Sequence, residues 1–375
     1  MDRTSNNRSI CFVGRDNYPV LNPSMGITTI GGESVQQTLL AKEFVRSGYD
    51  VSMVVVDHGQ PDGEVIDSIK VFATYRPEAG IPALRFVHPR ATSIFKALRR
   101  ANADVYYQSC ASPLTGFVAW HCRRHGKKFV FRIASDTDCV PGQQIIRYWR
   151  DKKIYEYGLR RADLIFAQSR KQIVLLEQNY GLKSAFMNMV VDNPTEFDST
   201  KDIDVLWVSN IRPQKRPELV FDLAEKLPHL RFVMIGGPSP GLIEHFKAIE
   251  GRAGPARNVE FLGAVPYRDI GRYFSRAKVF VNTSDIEGFP NTFLQSWIYG
   301  VPVVSFFDPD DVIKHNGLGF APKSPDEMIR AIDDLTSSEV KRREISRHSR
   351  EYAIEHHSPR SNVKEYIRIF SSTLA

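Results

Sequence analysis

The amino-acid sequence predicts an α/β protein built from two doubly wound, Rossmann-like domains that face each other across a cleft. Short β-branched or aromatic runs alternate with helix-length amphipathic segments from one end of the chain to the other. These runs are almost continuously apolar, which is typical of parallel strands covered on both faces. The length of 375 residues also fits two domains. Sheets of this kind bind ligands at the carboxyl ends of their strands.

The first domain is predicted to extend over residues 1–195. Apolar residues recur at near-helical spacing between its strands, for example Val35, Leu39, Leu40 and Phe44. A polar stretch over residues 191–202 interrupts the alternation and is typical of a linker. The candidate strands are Ile10–Val13, Val51–Val56, Val105–Gln108, Phe129–Ile133 and Leu164–Ala167.

The second domain is predicted over residues 203–357, where the same alternation restarts. Helices are expected at about 217–226, 241–250, 267–276 and 290–299, and residues 325–372 have a helical pattern throughout. The candidate strands are Val205–Val208, Phe232–Ile235, Val259–Leu262, Val279–Asn282 and Val301–Val304.

Positive charge is concentrated in the first domain. The chain has a net charge of +7, but residues 81–170 alone hold 17 Lys and Arg against 6 Asp and Glu, whereas residues 201–375 hold 24 against 23. Such a stretch is either a set of solvated helix faces or a surface that docks on anionic lipid or on a phosphorylated acceptor.

Three further features narrow the class of protein. No apolar run approaches the length that spans a bilayer. The start of the sequence is polar, unlike a signal peptide, and the four cysteines are far apart, as expected of reduced thiols. The sequence therefore predicts a cytoplasmic protein, with the inner face of the membrane as an alternative place of action.

The first candidate ligand-binding motif follows the first strand. Gly31, Gly32 and Glu33 stand immediately before the helix that contains Val35. Glycines allow backbone amides to approach a ligand, and the amino terminus of the helix favours an anion. The spacing is not that of a G-x-G-x-x-G dinucleotide fingerprint. A glycine turn without a ligand is the alternative interpretation.

The second motif lies at the exit of the first strand of the second domain. Ser209 and Asn210 end that strand, and the cations Arg212, Lys215 and Arg216 follow within seven residues. Crowded cations at a strand end are costly unless an anion neutralises them, and Arg and Lys are the usual phosphate ligands. The motif predicts a diphosphate site, and a solvated helix start is the alternative.

The third motif, residues 285–295, follows the strand Val279–Asn282. Gly288 and Pro290 predict a tight turn before a helix, whose free amides suit a phosphate oxygen. Glu287 and Gln295 provide a carboxylate and an amide for the hydroxyl groups of a sugar or ribose. The backbone expected to face the ligand is that of Phe289, Pro290, Asn291 and Thr292. Pro290 has no amide hydrogen, so the other three residues would provide the donors.

Taken together, these motifs resemble the retaining nucleotide-sugar glycosyltransferases of family 4, which have the GT-B fold. The resemblance rests on Gly31-Gly32-Glu33, on Arg212 and Lys215, and on Glu287-Gly-Phe-Pro followed by residues 299–304, Tyr-Gly-Val-Pro-Val-Val. It implies transfer of a sugar from a nucleotide-diphosphate donor with retention of configuration and without an obligatory metal or other cofactor. It also implies that a last helix, at about 358–375, completes the first domain.

The resemblance assigns roles to individual residues. Arg212 and Lys215 would neutralise the donor diphosphate as it leaves, and Glu287 would hold hydroxyls of the donor sugar. The amides after Gly31 and those at residues 289–291 would support the phosphates or the sugar. In this interpretation the donor-binding residues are Gly31, Gly32, Glu33, Ser209, Asn210, Gly288, Phe289, Pro290, Asn291, Thr292 and Gln295.

Two positions depart from the family pattern. The family commonly has Glu-x7-Glu, whereas the second acidic position here is Gln295, which accepts a ribose hydroxyl more weakly than a carboxylate. Many members also have a histidine near the acceptor, and the comparable segment over 131–139 has none. Asp136 and Asp138 are the acceptor-side candidates in that segment.

Three other functions remain as alternatives. Asp136-Thr-Asp138 matches the Asp-x-Asp motif, which holds a divalent metal in a different glycosyltransferase architecture. A metal-dependent glycosyltransferase is therefore one alternative. The missing second glutamate allows a catalytically weak or inactive nucleotide-sugar binding protein. Nucleic-acid binding is disfavoured because the basic segments form no nucleic-acid module.

The favoured hypothesis is a glycosyltransferase that works on a glycan or lipid-linked acceptor, in polysaccharide, exopolysaccharide or lipopolysaccharide synthesis. Its expected partners are a nucleotide-sugar donor, that acceptor, and an anionic membrane contacted through residues 81–170. No motif specifies the donor base, the donor sugar or the acceptor.

Overall fold

The structure, a computed structural model, describes residues 8–27, 30–82, 84–194, 197 and 200–374. The chain divides into two compact α/β units. The first unit contains the described parts of Met1–Met25, Gly31–Val190 and Pro359–Ala375, and the second those of Gly26–Ile30 and Val191–Ser358. Residues 195, 196, 198 and 199 of the predicted linker lie outside the described residues.

The first unit contains an eight-stranded sheet with the order β3-β4-β2-β1-β5-β6-β7-β8. All neighbouring strands are parallel except β3 and β4, which form an antiparallel pair. The strands are β1 Ser9–Val13, β2 Asp50–Val55, β3 Val65–Ile66, β4 Ile69–Ala73, β5 Val105–Ser109, β6 Lys128–Arg132, β7 Leu164–Ala167 and β8 Ala185–Phe186.

The helices of the first unit begin and end at residues suited to those positions. Helix α4 has Pro113 at its first position and stops at Gly126, whose φ of 63° is left-handed. The hydroxyl of Ser169 accepts the amide of Gln172 and so caps α6. The helices are α1 Asn17–Leu21, α2 Gly32–Arg46, α3 Thr92–Ala101, α4 Pro113–His125, α5 Trp149–Leu159 and α6 Arg170–Tyr180, with a last one contributed by the end of the chain.

That last helix, Pro359–Thr373, packs into the core of the first unit. The rings of Tyr366 and Phe370 contact Phe166, and Phe370 also stacks on Phe44 at a centroid distance of 6.0 Å. The buried Arg132 guanidinium donates to the Tyr366 hydroxyl at 2.5 Å and to a backbone carbonyl at 3.0 Å. The C-terminal segment therefore supplies part of the apolar core of this unit.

The second unit contains a six-stranded, wholly parallel sheet with the order β11-β10-β9-β12-β13-β14. Its strands are β9 Ile203–Val208, β10 Phe232–Ile235, β11 Val259–Phe261, β12 Ala277–Asn282, β13 Val303–Ser305 and β14 Gly319–Phe320. Its helices are α7 Glu218–Lys226, α8 Ile243–Ala253, α9 Tyr267–Arg276, α10 Asn291–Ile298, α11 Val312–His315, α12 Pro325–Ser337 and α13 Glu339–His357, and the last helix of the chain is α14.

Each sheet has one point at which the strand order reverses. From β1 the chain first builds β2 and β4 on one side and then β5 on the other, and from β9 it builds β10 and β11 before β12. A parallel sheet leaves a crevice at such a point, outside the carboxyl ends of the two strands. The predicted fold class of two Rossmann-like α/β domains is confirmed, and its topology places these crevices at the carboxyl ends of β1 and β5 and of β9 and β12.

Helices that could cross a membrane are not found: within the described ranges, none combines the necessary length with the necessary apolar character.

Candidate functional site

The loop after β9 is held against the end of β10 by backbone contacts. The amide of Ser209 donates to the carbonyl of Ile235 at 3.0 Å, and that of Ile211 donates to Gly237 at 2.9 Å. A Cβ atom at Gly236 would lie 2.1 Å from the Ser209 carbonyl oxygen, so glycine is required at that position. The close approach fixes the direction in which the loop leaves the sheet.

Arg212 and Asn210 have defined partners in this loop. The Arg212 Nε donates to the hydroxyl of the buried Ser239 at 3.0 Å, in the segment after β10. The Asn210 side-chain amide donates to the Ile30 carbonyl at 3.3 Å. The guanidinium of Arg212 therefore lies over the carboxyl ends of β9 and β10.

Lys215 and Glu287 form an ion pair across the strand-order reversal of the second unit. The Lys215 ammonium donates to Glu287 Oε1, and the Ser284 hydroxyl donates to the same oxygen at 2.7 Å. The two charged side chains are only 19% and 12% exposed, so water screens the pair incompletely. The sequence placed Lys215 and Glu287 in separate motifs, and the fold brings them into contact.

Three more bonds join the loops that carry this pair. The Thr283 hydroxyl donates to the Lys215 carbonyl at 2.7 Å and itself accepts the indole N–H of Trp207 at 3.0 Å. The amide of Asp285 donates to the Gln214 carbonyl at 3.0 Å. The backbone of both loops is thus fixed before any ligand binds, which lowers the cost of organising charges around one. We call Arg212, Lys215, Ser284 and Glu287 the second-unit cluster.

The turn after Glu287 leads into α10, which begins at Asn291. Pro290 is the residue before the helix and forms no side-chain cap with it. The Phe289 ring packs against Trp297 and His357 at centroid distances of 6.1 and 5.7 Å. The partly buried Phe289 side chain thus anchors the turn to the core of the unit.

Gln295 contacts a tyrosine of the neighbouring helix. Its side-chain amide is hydrogen-bonded to the phenol of Tyr267, whose pKa is raised by burial and also by the nearby Asp192 carboxylate. Gln295 is partly buried, one and a half turns along α10. The phenol fixes the orientation of the amide, which stands where the family pattern has a second glutamate.

The first unit has a cluster of carboxyl groups at its own strand-order reversal. Glu33, in the first turn of α2, accepts the side-chain amide of Gln37 at 2.7 Å and hydrogen bonds from Ser109 and Cys110, which follow each other at the end of β5. Burial raises the pKa of Glu33 to about 7, and the charges of Asp16 and Asp138 act in the same direction. Glu33 is therefore partly protonated at neutral pH.

The two acceptor-side candidates occupy different environments. Asp138 is buried and accepts the backbone amides of Ala134 and Ser135 at 3.2 and 3.1 Å, while burial raises its pKa to about 6. Asp136 pairs with the Lys171 ammonium at 2.7 Å. Asp138 thus has a local structural role in addition to any contact with an acceptor.

The glycine before α2 has no close neighbours. Gly31 is the residue preceding the helix, and a Cβ atom built there would find nothing within 4 Å. Sequence reasoning missed two residues that shape this site, Gly236 and Ser239. The signal for them was present as the Gly-Gly pair that follows β10. Within the ranges that the structure describes, no group of three or more His, Cys, Asp or Glu side chains could hold a metal ion.

Comparison with known proteins identifies the class to which this chain belongs. Residues 31–188 match the model of a glycosyl transferase 4-like domain, and residues 193–352 match that of the glycosyl transferases group 1. The two matches are consecutive and coincide with the two α/β units. The protein is thus a glycosyltransferase with the GT-B fold, assembled from a family 4-like domain and a group 1 domain.

Individual proteins are similar at low identity. The chain is 23% identical to a phosphatidylinositol N-acetylglucosaminyltransferase component of Arabidopsis thaliana over 327 residues, which are 82% of this chain and 71% of that protein. The sucrose-phosphate synthase of Thermosynechococcus elongatus has a TM-score of 0.80 at 16% identity, over 98% of this chain and 99% of that one. Anabaena Alr3699/HepE in complex with UDP and glucose has a TM-score of 0.76, also at 16% identity, over 97% and 100%. The two solved structures establish the likeness of fold.

Gly236→Ala should destabilise the protein. The new methyl group would displace the Ser209 carbonyl, and overpacking of this kind costs about 1–3 kcal/mol. Gly251→Ala is the matched control, because a Cβ there meets nothing within 4 Å and α8 gains up to about 1 kcal/mol of helix propensity. Urea unfolding of both variants checks this, and a Gly236→Ala variant as stable as Gly251→Ala would contradict it.

Glu33→Gln should change how stability depends on pH. The folded state keeps the Glu33 proton up to about pH 7, whereas the unfolded chain releases it near the ordinary value of 4.5. The contribution of this group to the unfolding free energy therefore decreases as pH rises from 4.5 to 7. Between pH 5 and pH 8, Glu33→Gln should gain roughly 1–3 kcal/mol of unfolding free energy relative to the wild type.

Urea unfolding at the two pH values measures this difference. Exposed Glu78, in the same unit, provides the control variant Glu78→Gln, which should follow the wild-type dependence. A constant difference between Glu33→Gln and the wild type from pH 5 to pH 8 would show that the Glu33 carboxyl is not desolvated.

Proposed function

We propose that this glycosyltransferase moves a sugar from a nucleotide-diphosphate donor to a glycan or lipid-linked acceptor, with retention of anomeric configuration and without a metal ion. The observation that carries the proposal is the second-unit cluster at the carboxyl edge of the second sheet. There the loop after β9 holds Arg212 towards β10 and pairs Lys215 with Glu287 of the loop after β12. Polysaccharide, exopolysaccharide or lipopolysaccharide synthesis is the corresponding process.

Arg212 and Lys215 bind the donor diphosphate and stabilise it as the leaving group. The bond to Ser239 already orients the Arg212 guanidinium, and the ion pair does the same for the Lys215 ammonium. Preorganised cations act mainly on the charge that develops in the transition state. An ammonium has three donor hydrogens, so Lys215 can bond a phosphate oxygen while it keeps Glu287.

Glu287 holds hydroxyl groups of the donor sugar. One of its carboxylate oxygens accepts hydrogen bonds from Ser284 and Lys215. The other has no hydrogen-bond partner among the described residues and can accept one from a hydroxyl. The turn over residues 288–290 and the start of α10 at Asn291 and Thr292 provide the amides for phosphate or sugar oxygens. Gln295, oriented by Tyr267, accepts a ribose hydroxyl through its carbonyl oxygen.

Retention requires no enzymic nucleophile in this mechanism. The acceptor hydroxyl attacks the anomeric carbon from the face that the diphosphate leaves, and the departing phosphate oxygen takes the proton of that hydroxyl. The acceptor lies at the carboxyl edge of the first unit, near Asp136 and Asp138. Relatives support a nucleotide-sugar donor, since Alr3699/HepE was solved with UDP and glucose and the Arabidopsis relative belongs to an N-acetylglucosaminyltransferase.

The chain works at the inner face of the membrane in this proposal. The excess of positive charge over residues 81–170 provides contact with anionic lipid, because basic side chains close to such a surface each contribute about 1 kcal/mol. A membrane-held acceptor would thereby be brought to the first unit.

Turnover by Arg212→Ala and Lys215→Ala variants tests the assignment. A panel of nucleotide sugars is screened by thermal shift, and release of nucleoside diphosphate is then measured with and without acceptor. Each substitution should lower turnover about 100- to 1,000-fold, as expected for loss of one group that stabilises developing charge. Lys247→Ala removes an exposed cation from α8 of the same unit and should leave turnover unchanged.

The same reaction reports on stereochemistry and metal. Proton NMR of the first product should show the anomeric configuration of the donor, and excess EDTA should not reduce turnover. Wild-type rates in both variants would remove Arg212 and Lys215 from their roles. An inverted product, or loss of activity in EDTA restored by Mn²⁺, would overturn the mechanism, and donor binding without turnover would identify a binding protein instead.

A further inference from the structure

The first unit contains a cavity of about 610 Å³ at the carboxyl edge of its sheet. Val13 at the end of β1, Val55 at the end of β2 and Tyr75 just after β4 line its floor. Its remaining walls come from the segment around Phe86, from the start of α4 and from residues 148–151 before and within α5. The cavity is large enough for a small ligand and lies where parallel sheets bind them.

The cavity is strongly basic. Its lining includes Arg15, Arg85, Arg90 and Arg150, and Asp151 is the one carboxylate among the described lining residues. Asp151 pairs with Arg150 at 2.8 Å, whereas the other three arginines form no ion pair with any carboxylate in the described part of the chain. Uncompensated guanidinium groups around one cavity favour an anionic ligand, and phosphate suits their planar geometry.

Aromatic rings hold two of these arginines in place. The Arg150 guanidinium lies 3.5 Å from the centroid of the Phe86 ring, and the Arg90 guanidinium lies 5.5 Å from that of Tyr75. Arg90 also donates to the Pro77 carbonyl at 3.3 Å. Because stacking fixes the planes of these groups, less side-chain entropy is lost when an anion binds.

The segments that form the walls also present apolar side chains to solvent. Trp149 and Tyr148 are 74% and 54% exposed, although both line the cavity. Ile81, Leu84 and Val87, which surround the lining residues Pro82, Arg85 and Phe86 in sequence, are 66%, 62% and 63% exposed. Single exposed apolar residues are ordinary, but five on two segments that meet at one cavity form an apolar rim.

We propose that this cavity binds a lipid phosphate or diphosphate, whose anionic head contacts the arginines and whose hydrocarbon chain lies on the apolar rim. A free sugar would leave the arginines without an anion, and inorganic phosphate would leave the rim uncovered. This inference rests on the proposed function and names its acceptor class: the sugar that accepts the transfer is attached to such a lipid. Tryptophan and tyrosine at the rim suit the boundary between chain and head group.

The cavity also lies next to the carboxyl cluster of the first unit. Ser112, which lines it, is two residues after Cys110, and Cys110 bonds to Glu33. A head group bound by the arginines would therefore hold an attached sugar near the carboxyl ends of β1 and β5. This is the edge of the sheet to which the proposed function assigns the acceptor.

Calorimetric titration of the full chain with three probes tests the proposal. Farnesyl phosphate below its critical micelle concentration has both parts of the ligand, farnesol has the chain alone, and inorganic phosphate has the head alone. Farnesyl phosphate should bind at least tenfold more tightly than either of the others. Equal binding of farnesol would indicate a merely apolar surface, equal binding of phosphate a merely anionic site, and no saturable binding of farnesyl phosphate would overturn the proposal outright.

Two double variants assign the binding to the cavity. Arg85→Ala with Arg90→Ala should weaken farnesyl phosphate binding at least tenfold. Arg360→Ala with Lys364→Ala removes the same charge from exposed positions on α14 of the same unit and should not weaken it. Equal effects of the two pairs would show that only overall charge matters. Trp149→Ser, a change at an exposed side chain, should also weaken binding and provides a second test if the Arg85/Arg90 pair does not fold.

Failure of this inference differs from failure of the proposed function. Acceptor-independent release of nucleoside diphosphate from a nucleotide sugar is measured in the same preparations. Release of nucleoside diphosphate without lipid phosphate binding would overturn the acceptor class alone. Absence of turnover with every nucleotide sugar would overturn the function, whatever the cavity binds.

Discussion

The ion pair between Lys215 and Glu287 is the interaction on which the organisation of the second unit's site depends. It joins the loop after β9 to the loop after β12, the two strands that flank the strand-order reversal. Placing two charges in a poorly hydrated position is costly, and hydrogen bonds to both partners make it tolerable. Ser284 supplies such a bond to the carboxylate, and Thr283 fixes the backbone of Lys215. The pair thereby keeps a cation and a carboxylate in place where a nucleotide sugar would need both.

The first unit has a different arrangement of charged groups at the corresponding edge of its sheet. It gathers carboxyl groups with raised pKa values, Glu33 and Asp138, beside a cavity lined by arginines. Burial raises the pKa of Glu33 to about 7, so this carboxyl is partly protonated at neutral pH, whereas Asp138, with its pKa raised to about 6, stays mostly ionised. Three of the arginines have no carboxylate partner among the described residues. An acceptor with a hydroxyl group near the carboxyls and an anionic head in the cavity would satisfy both. The contrast between the two units follows the asymmetry of charge along the sequence.

The sequence predicted most of the longer strands, the helices α2 and α6, most helices of the second unit and the main motifs, because their signals are local. Apolar runs and glycine–cation patterns identified β9, β12 and the loops that carry Arg212 and Glu287. The strands β3, β8 and β14 were missed because each has only two residues, too few for a pattern of its own. The five-residue strand β4 was also missed, although it lies inside the sheet between β3 and β2. The contact between Lys215 and Glu287 could not be derived either, because residues 72 positions apart meet only through the strand order. The bond from Gln295 to Tyr267 and the arginine cavity likewise depend on packing between elements distant in sequence.

A double-mutant cycle on Lys215 and Glu287 tests most directly whether this pair organises the site. The unfolding free energies of the wild type, Lys215→Ala, Glu287→Ala and the double variant are compared in urea. Coupling of about 1–3 kcal/mol is expected for two charged groups in direct contact with limited exposure. A coupling energy below about 0.5 kcal/mol, the range found for independent sites, would contradict the account.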